Sequence, residues 1–345
     1  MSNPEARPRA AIFGCAGQQL LESERRFFSE ADPLGFILFE RNCKNPDQVI
    51  ALVKSLRESV GRPSAPVLIY QEGGRVARLK PPHWRTLPPA GMIGKLGQRD
   101  IEAGREAAFA AARLIAADLA PLGIDVDCAP VLYVPVRGSH GIIGDRAFAD
   151  EPTLVADLGR AFCRGLLAGG VLPVIKHIPG HGRARVDSHA ALPTVEAHRP
   201  TLENLDFAPF HALRDMPMAM TAHVVYRAFD ARLPATTSKR IIADIIRGKI
   251  GFDGLLMSDD LSMGALHGSL AERTQAALDA GCDVALHCNG KMAEMEAVAS
   301  KAGPMTDAAM IRFERAQAMR QPPQPVETGA LAARLETLIA TASAA

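Results

Sequence analysis

The chain has 345 residues, 48% hydrophobic and 22% charged, with 39 basic residues set against 38 acidic ones. Such a composition excludes a disordered chain and is long enough for one large barrel or two modest domains. The net charge of +1 lacks the basic excess of a surface built for nucleic acid or an anionic membrane, so a small or neutral molecule is the expected partner.

At the N-terminus, arginines precede a short apolar patch at residues 10–13 and then Cys15, a faint outline of a lipoprotein signal. The patch is shorter than the roughly 7 to 15 apolar residues such a signal requires, and it reads instead as a first strand. No stretch reaches the roughly 18 apolar residues of a membrane span. The six cysteines (Cys15, Cys43, Cys128, Cys163, Cys282 and Cys288) form no C-x-x-C pair, which predicts reduced thiols, mostly in the core, and a cytoplasmic location.

Short apolar runs then alternate with longer helical patterns. The runs are AAIFG at 10–14, GFILF at 35–39, PVLIY at 66–70, IDVDCA at 124–129, VLPVIK at 171–176, MPMAMTA at 216–222, GLLMS at 254–258 and DVALHC at 283–288. The clearest helix spans 101–123, alanine-rich and closed by a glycine. Eight strands alternating with helices predict an α/β fold, a single-domain (β/α)8 TIM-type barrel over about residues 9–320, with a peripheral amphipathic helix at about 326–345. A doubly wound open sheet is the alternative, but no G-x-G-x-x-G follows any strand.

Polar residues sit directly behind the strands: ERN at 40–42, QEGGR at 71–75, KH at 176–177, TAH at 221–223, SDD at 258–260 and CNG at 288–290. In a barrel these clusters converge on the C-terminal mouth, where barrel enzymes carry their sites.

The stretch KHIPGHGRARVDSHAALPTV, 176–195, spends three histidines, two glycines, an aspartate and two arginines on the loop after a buried strand. His177 and His181 have the spacing of a helical metal-binding pair, but Pro179, Gly180 and Gly182 break a helix there. That spacing keeps a metal-dependent hydrolase using His177, His181 and Asp259 as a disfavoured alternative. Asp187 and His189 lie two apart, so the carboxylate can hold one ring nitrogen and favour the imidazolium, as a general acid requires. In 251–263, GFDGLLMSDDLSM, an apolar strand delivers two adjacent acids into the mouth. Asp259 is read as the chemical one and Asp260 as structural, the N-cap of a helix starting at LSMGAL.

The motifs KHIPGHG with DSH, MSDDLSM, QEGGRVARL, IGDRAF and MTAHVVY resemble the bacterial β-N-acetylglucosaminidases of glycoside hydrolase family 3, the NagZ type, from about residue 13 to 289. The resemblance implies a single-domain barrel enzyme that removes terminal N-acetylglucosamine from muropeptides in peptidoglycan recycling; a monomer is the expected state. It implies retention of configuration without metal or cofactor. Carried onto this sequence, it makes Asp259 the nucleophile, His189 the acid/base and Asp187 the residue that orients it. Lys176, His177, Arg146 and Arg78 fall at positions that grip sugar hydroxyls. The glycines beside His181 imply a loop that moves to deliver His189.

Two positions depart from the pattern. Tyr70 replaces an aspartate that accepts hydrogen bonds from distal sugar hydroxyls, and Tyr133 replaces another aspartate near the mouth. They leave open an altered sugar preference, or a sugar-binding protein with little turnover. Without an anionic acid/base, phosphate rather than water is a further possible acceptor for the glycosyl-enzyme.

Overall fold

The computed structural model describes residues 7–138, 141, 143–184, 186–188 and 191–343. Among them, eight parallel strands close into a barrel: β1 (Arg9–Gly14), β2 (Pro33–Leu38), β3 (Val67–Ile69), β4 (Val126–Asp127), β5 (Leu172–Ile178), β6 (Met218–Thr221), β7 (Leu255–Asp260) and β8 (Val284–His287). Neighbours follow chain order, and β8 returns to pair with β1 through Ala11↔Ala285 and Phe13↔His287. All eight predicted runs are barrel strands.

The runs are continuously apolar because both faces of each strand are buried. Ile12, Leu68, Val126, Val174, Met220 and Leu286 fill the barrel interior. Their chain neighbours, among them Phe13, Ile69, Ile175, Ala219 and Ala285, pack outward with the helices. The predicted long helix runs Ile101–Leu119; Asp100 caps it by accepting from the N–H groups of Glu102 and Ala103. It ends through a short turn at Gly123, whose φ of 78° suits glycine.

The N-terminal end of the barrel is closed by the helix Asp307–Met319. Arg312, Arg315 and Arg320, on that helix and just after it, pair with Asp283, Asp253 and Asp125, which sit immediately before β8, β7 and β4. The C-terminal helix, Thr328–Ser343, lies against Ile101–Leu119 and is tied to it by Arg334 and Glu106 at 2.7 Å. No helix among the described residues is long and apolar enough to cross a membrane.

One local expectation fails. No helix begins directly after Asp260; residues 261–268 form turns, and the helix Leu270–Ala280 starts at Ser269, whose hydroxyl accepts from the Glu272 N–H. Asp260 instead accepts from the N–H groups of Ser262 and Cys288 and from the Ser262 hydroxyl, pinning the turn after β7 to the end of β8.

Candidate active site

Opposite the closed end, the loops behind β2, β3, β4, β5, β7 and β8 enclose a cavity of about 220 Å³. Its walls include Phe39, Tyr70, Arg78, Tyr133, Arg146, His177, His181, Asp187, Asp259 and Cys288. The volume falls below the roughly 300 to 1,000 Å³ of drug-sized sites and suits a compact ligand. A more open groove of about 790 Å³ lies on the outer helices, lined by Asp100, Arg105, Asp157 and Arg334, away from the strand ends.

A buried ionic network supports the cavity from beneath. Glu72, behind β3, receives two hydrogen bonds from the Arg146 guanidinium, at 2.9 and 2.8 Å, and lies 2.6 Å from the Lys176 ammonium. Burial alone would raise the Glu72 pKa, but the two cations outweigh it and hold the carboxyl down at about 2. Asp127, at the end of β4, accepts from the Gln71 N–H through one oxygen and leaves the other without a hydrogen-bond partner. Burial pushes its pKa well up.

Asp259 reaches the cavity from the end of β7. Its Oδ1 accepts from the Asp260 N–H at 2.8 Å, and its Oδ2 lies 3.4 Å from His177 Nε2. The other ring nitrogen of His177 is 2.5 Å from the Tyr133 hydroxyl. Burial first, then the charge of Lys176 and the neighbouring His181 and Arg146, hold His177 far below the usual histidine range. His181 packs against Tyr133 and His177, with ring centres 5.4 and 6.0 Å away, and burial lowers its pKa to about 4.

The loop after β5 is tied down at several points. The Tyr226 hydroxyl donates to the Gly180 carbonyl, Arg183 pairs with Asp206 at 2.7 Å, and the Ala265 N–H donates to the Ser188 carbonyl at 3.2 Å. Gly182 has a packing reason: a Cβ there would lie 2.1 Å from the Val134 carbonyl oxygen.

The structure therefore brings Asp259, Asp187, His177, Arg78, Arg146 and Tyr70 to one cavity. His189 lies outside the described residues. Lys176, the expected partner of sugar hydroxyls, is fully buried, with its ammonium 4.2 Å from the centre of the Tyr70 ring that lines the cavity. Arg146 faces the cavity while bound to Glu72, so its charge is already compensated. The roles of Glu72 and Asp127 were missed. Glu72 was visible as an acid immediately behind an apolar run, whereas nothing in IDVDCA distinguishes the acid that supports the site from the one, Asp125, that holds the barrel's closed end.

A closed parallel barrel whose C-terminal mouth gathers carboxylates, imidazoles and guanidinium groups around a small cavity has the layout of a barrel enzyme. Residues 21–318 match the Glycosyl hydrolase family 3 N terminal domain, and the chain belongs to that family. It is 39% identical over 282 residues to a β-hexosaminidase of Alkalilimnicola ehrlichii, covering 81% of this chain and 80% of that one. It is 41% identical over 282 residues to a β-hexosaminidase of Methylococcus capsulatus, covering 81% and 82%. The fold superposes with a TM-score of 0.86 on NagZ from Neisseria gonorrhoeae solved with N-trifluoroacetyl-D-glucosamine, at 31% identity over 99% of this chain and 100% of that one.

Proposed function

We propose that this chain is a retaining β-N-acetylglucosaminidase that removes terminal N-acetylglucosamine from muropeptides in the cytoplasm, as a single-domain monomer. The observation that carries the reading is Asp259. It projects from a strand end into the cavity, with one oxygen anchored by a backbone N–H and the other facing a neutral imidazole. The family match and the similarity to β-hexosaminidases support the sugar class.

In the first step an Asp259 oxygen bonds to the anomeric carbon as the glycosidic C–O bond breaks, and His189, as imidazolium, gives its proton to the departing oxygen. In the second, His189 takes a proton from water, the water oxygen bonds to the anomeric carbon and the Asp259 carboxylate is released. Asp187 holds His189 in the tautomer and charge state that the first step needs. Arg78, His177 and Arg146 orient the sugar, and no step calls for a metal or cofactor.

Tyr70 favours a second element, an altered sugar preference. Its hydroxyl is 3.4 Å from the buried Met220 sulfur rather than turned to the cavity, so the ring contributes an aromatic surface. A panel of nitrophenyl β-hexosides tests both elements. Release from N-acetylglucosaminide with retained configuration is expected; sugar binding without release from any member would favour a binding protein instead.

A further inference from the structure

We infer that Tyr133 is a positioning residue for the reaction: by donating its phenolic proton to His177 Nδ1, it fixes the His177 proton on Nε2, so that Asp259 always faces a donor. The inference rests on the reading of Asp259 as nucleophile, but it concerns a residue to which that mechanism gives no role.

Tyr133 is set beside β5 by its own backbone neighbourhood. Val131 forms a bridge with Lys176, and the Leu132 N–H donates to the Lys176 carbonyl at 2.8 Å, so the loop after β4 runs alongside the strand that carries His177. The phenol ring lies nearly parallel to the His177 ring, with centres 5.7 Å apart and planes 24° from parallel. The Arg146 guanidinium carbon is 5.7 Å from its centre. The side chain is 2% exposed, so water does not compete for the hydroxyl.

Chemistry then settles the direction of the chain. A neutral imidazole carries one N–H and one lone pair. His177 has an oxygen at each nitrogen: the Tyr133 hydroxyl at Nδ1 and the Asp259 carboxylate at Nε2. An ionised carboxylate can only accept, whereas a phenol can donate. Both contacts are favourable in only one arrangement, with the phenol O–H to Nδ1 and Nε2–H to Asp259. In the opposite tautomer the Nε2 lone pair would face the carboxylate. At 3.4 Å the Nε2 contact is longer than an ordinary hydrogen bond, a spacing that commonly tightens when substrate binds.

Several charged and titratable groups share this space. Lys176, His181, Arg146 and His223 surround His177, while Tyr70, Cys128, Cys288 and Arg146 lie within electrostatic reach of Asp259 and the Asp260 N–H donates to it. All of them persist in a Tyr133→Phe variant. That variant removes the donor at Nδ1, so that only the longer Asp259 contact still selects the Nε2–H tautomer.

The direct test is nitrogen NMR of the wild-type histidines at neutral pH, with the His177 signal assigned by its loss in His177→Gln. The expected result is a neutral ring protonated at Nε2; protonation at Nδ1, or at both nitrogens, would overturn the inference. The second arm is Tyr133→Phe. We expect kcat/KM to fall roughly tenfold or more, the loss of one buried hydrogen bond. The His177 nitrogen signals of the same variant should shift towards a mixture of the two tautomers, because only the longer Asp259 contact then selects between them. A purely structural role would lower activity without moving those signals, and unmoved signals would contradict the inference. The NMR readout needs no turnover, so it stands or falls separately from the identity of the nucleophile.

Discussion

The Lys176 ammonium lies 4.2 Å from the centre of the Tyr70 ring, which lines the cavity. Burial pushes the Tyr70 phenol well above its ordinary pKa, so it remains neutral and offers no anion to a sugar. Replacing Tyr70 with aspartate would put an acceptor beside Lys176 at the cavity wall. The expected outcome for Tyr70→Asp is a KM for N-acetylglucosaminides lowered by roughly tenfold, equivalent to about 1.5 kcal/mol for a hydrogen bond to a charged group. Steady-state kinetics checks it, and an unchanged or higher KM would show that Tyr70 does not limit sugar binding.

Separating the acid/base from the nucleophile requires substrates of different leaving ability. His189→Ala and Asp187→Ala should lower kcat/KM by roughly 10² to 10⁴ for a poor leaving group. Both should lose far less with a nitrophenolate, which departs without a proton. Azide should restore turnover of His189→Ala and give a glycosyl azide of retained configuration. Equal losses with both leaving groups would remove His189 from the role.

Glu72 gives a stability prediction with a defined sign. Its folded pKa is depressed to about 2, below the ordinary 4.5. The stabilisation it contributes is therefore complete above the ordinary value and drains away as pH falls through about 2. Glu72→Gln should cost about 3–5 kcal/mol at neutral pH by leaving Lys176 and Arg146 uncompensated. The difference from wild type should shrink steadily in urea unfolding below about pH 4. A constant difference across that range would contradict the assignment.

Gly182→Ala brings a methyl group against the Val134 carbonyl, a contact the backbone must relieve by moving. The expected cost is about 1–3 kcal/mol. Because Gly182 lies in the loop that carries Asp187, activity should drop more sharply than thermal stability. Equal effects on both would deny the loop a role in placing the acid/base.

The barrel was legible in the sequence because strands buried on both faces, such as GFILF and VLPVIK, must be apolar throughout, while their polar successors mark one end. The site was legible as a set of strand-end residues, and Asp259, Asp187, Arg146 and Tyr70 do meet there. Pairing within the set was not legible. Glu72 takes up the charges of both Arg146 and Lys176, and the Tyr133 hydroxyl meets His177; these contacts join residues 74, 104 and 44 positions apart, which no local pattern encodes. Asp260 resembles a helix cap because acids precede helices so often; its partners, Ser262 and Cys288, lie in a turn and just after another strand. Gly182 also answers a close backbone approach to Val134, a packing requirement that sequence cannot distinguish from conformational freedom.

The central claim, that the Asp259 carboxylate forms the bond to the anomeric carbon, is tested most directly by trapping. Incubation with a fluorinated N-acetylglucosaminyl fluoride that forms the glycosyl-enzyme quickly and releases it slowly, followed by mass spectrometry of the digested protein, locates the bond. The predicted result is one added sugar on the peptide containing Asp259, absent from Asp259→Asn. A sugar attached to any other side chain, or rapid turnover by Asp259→Asn, would contradict the account.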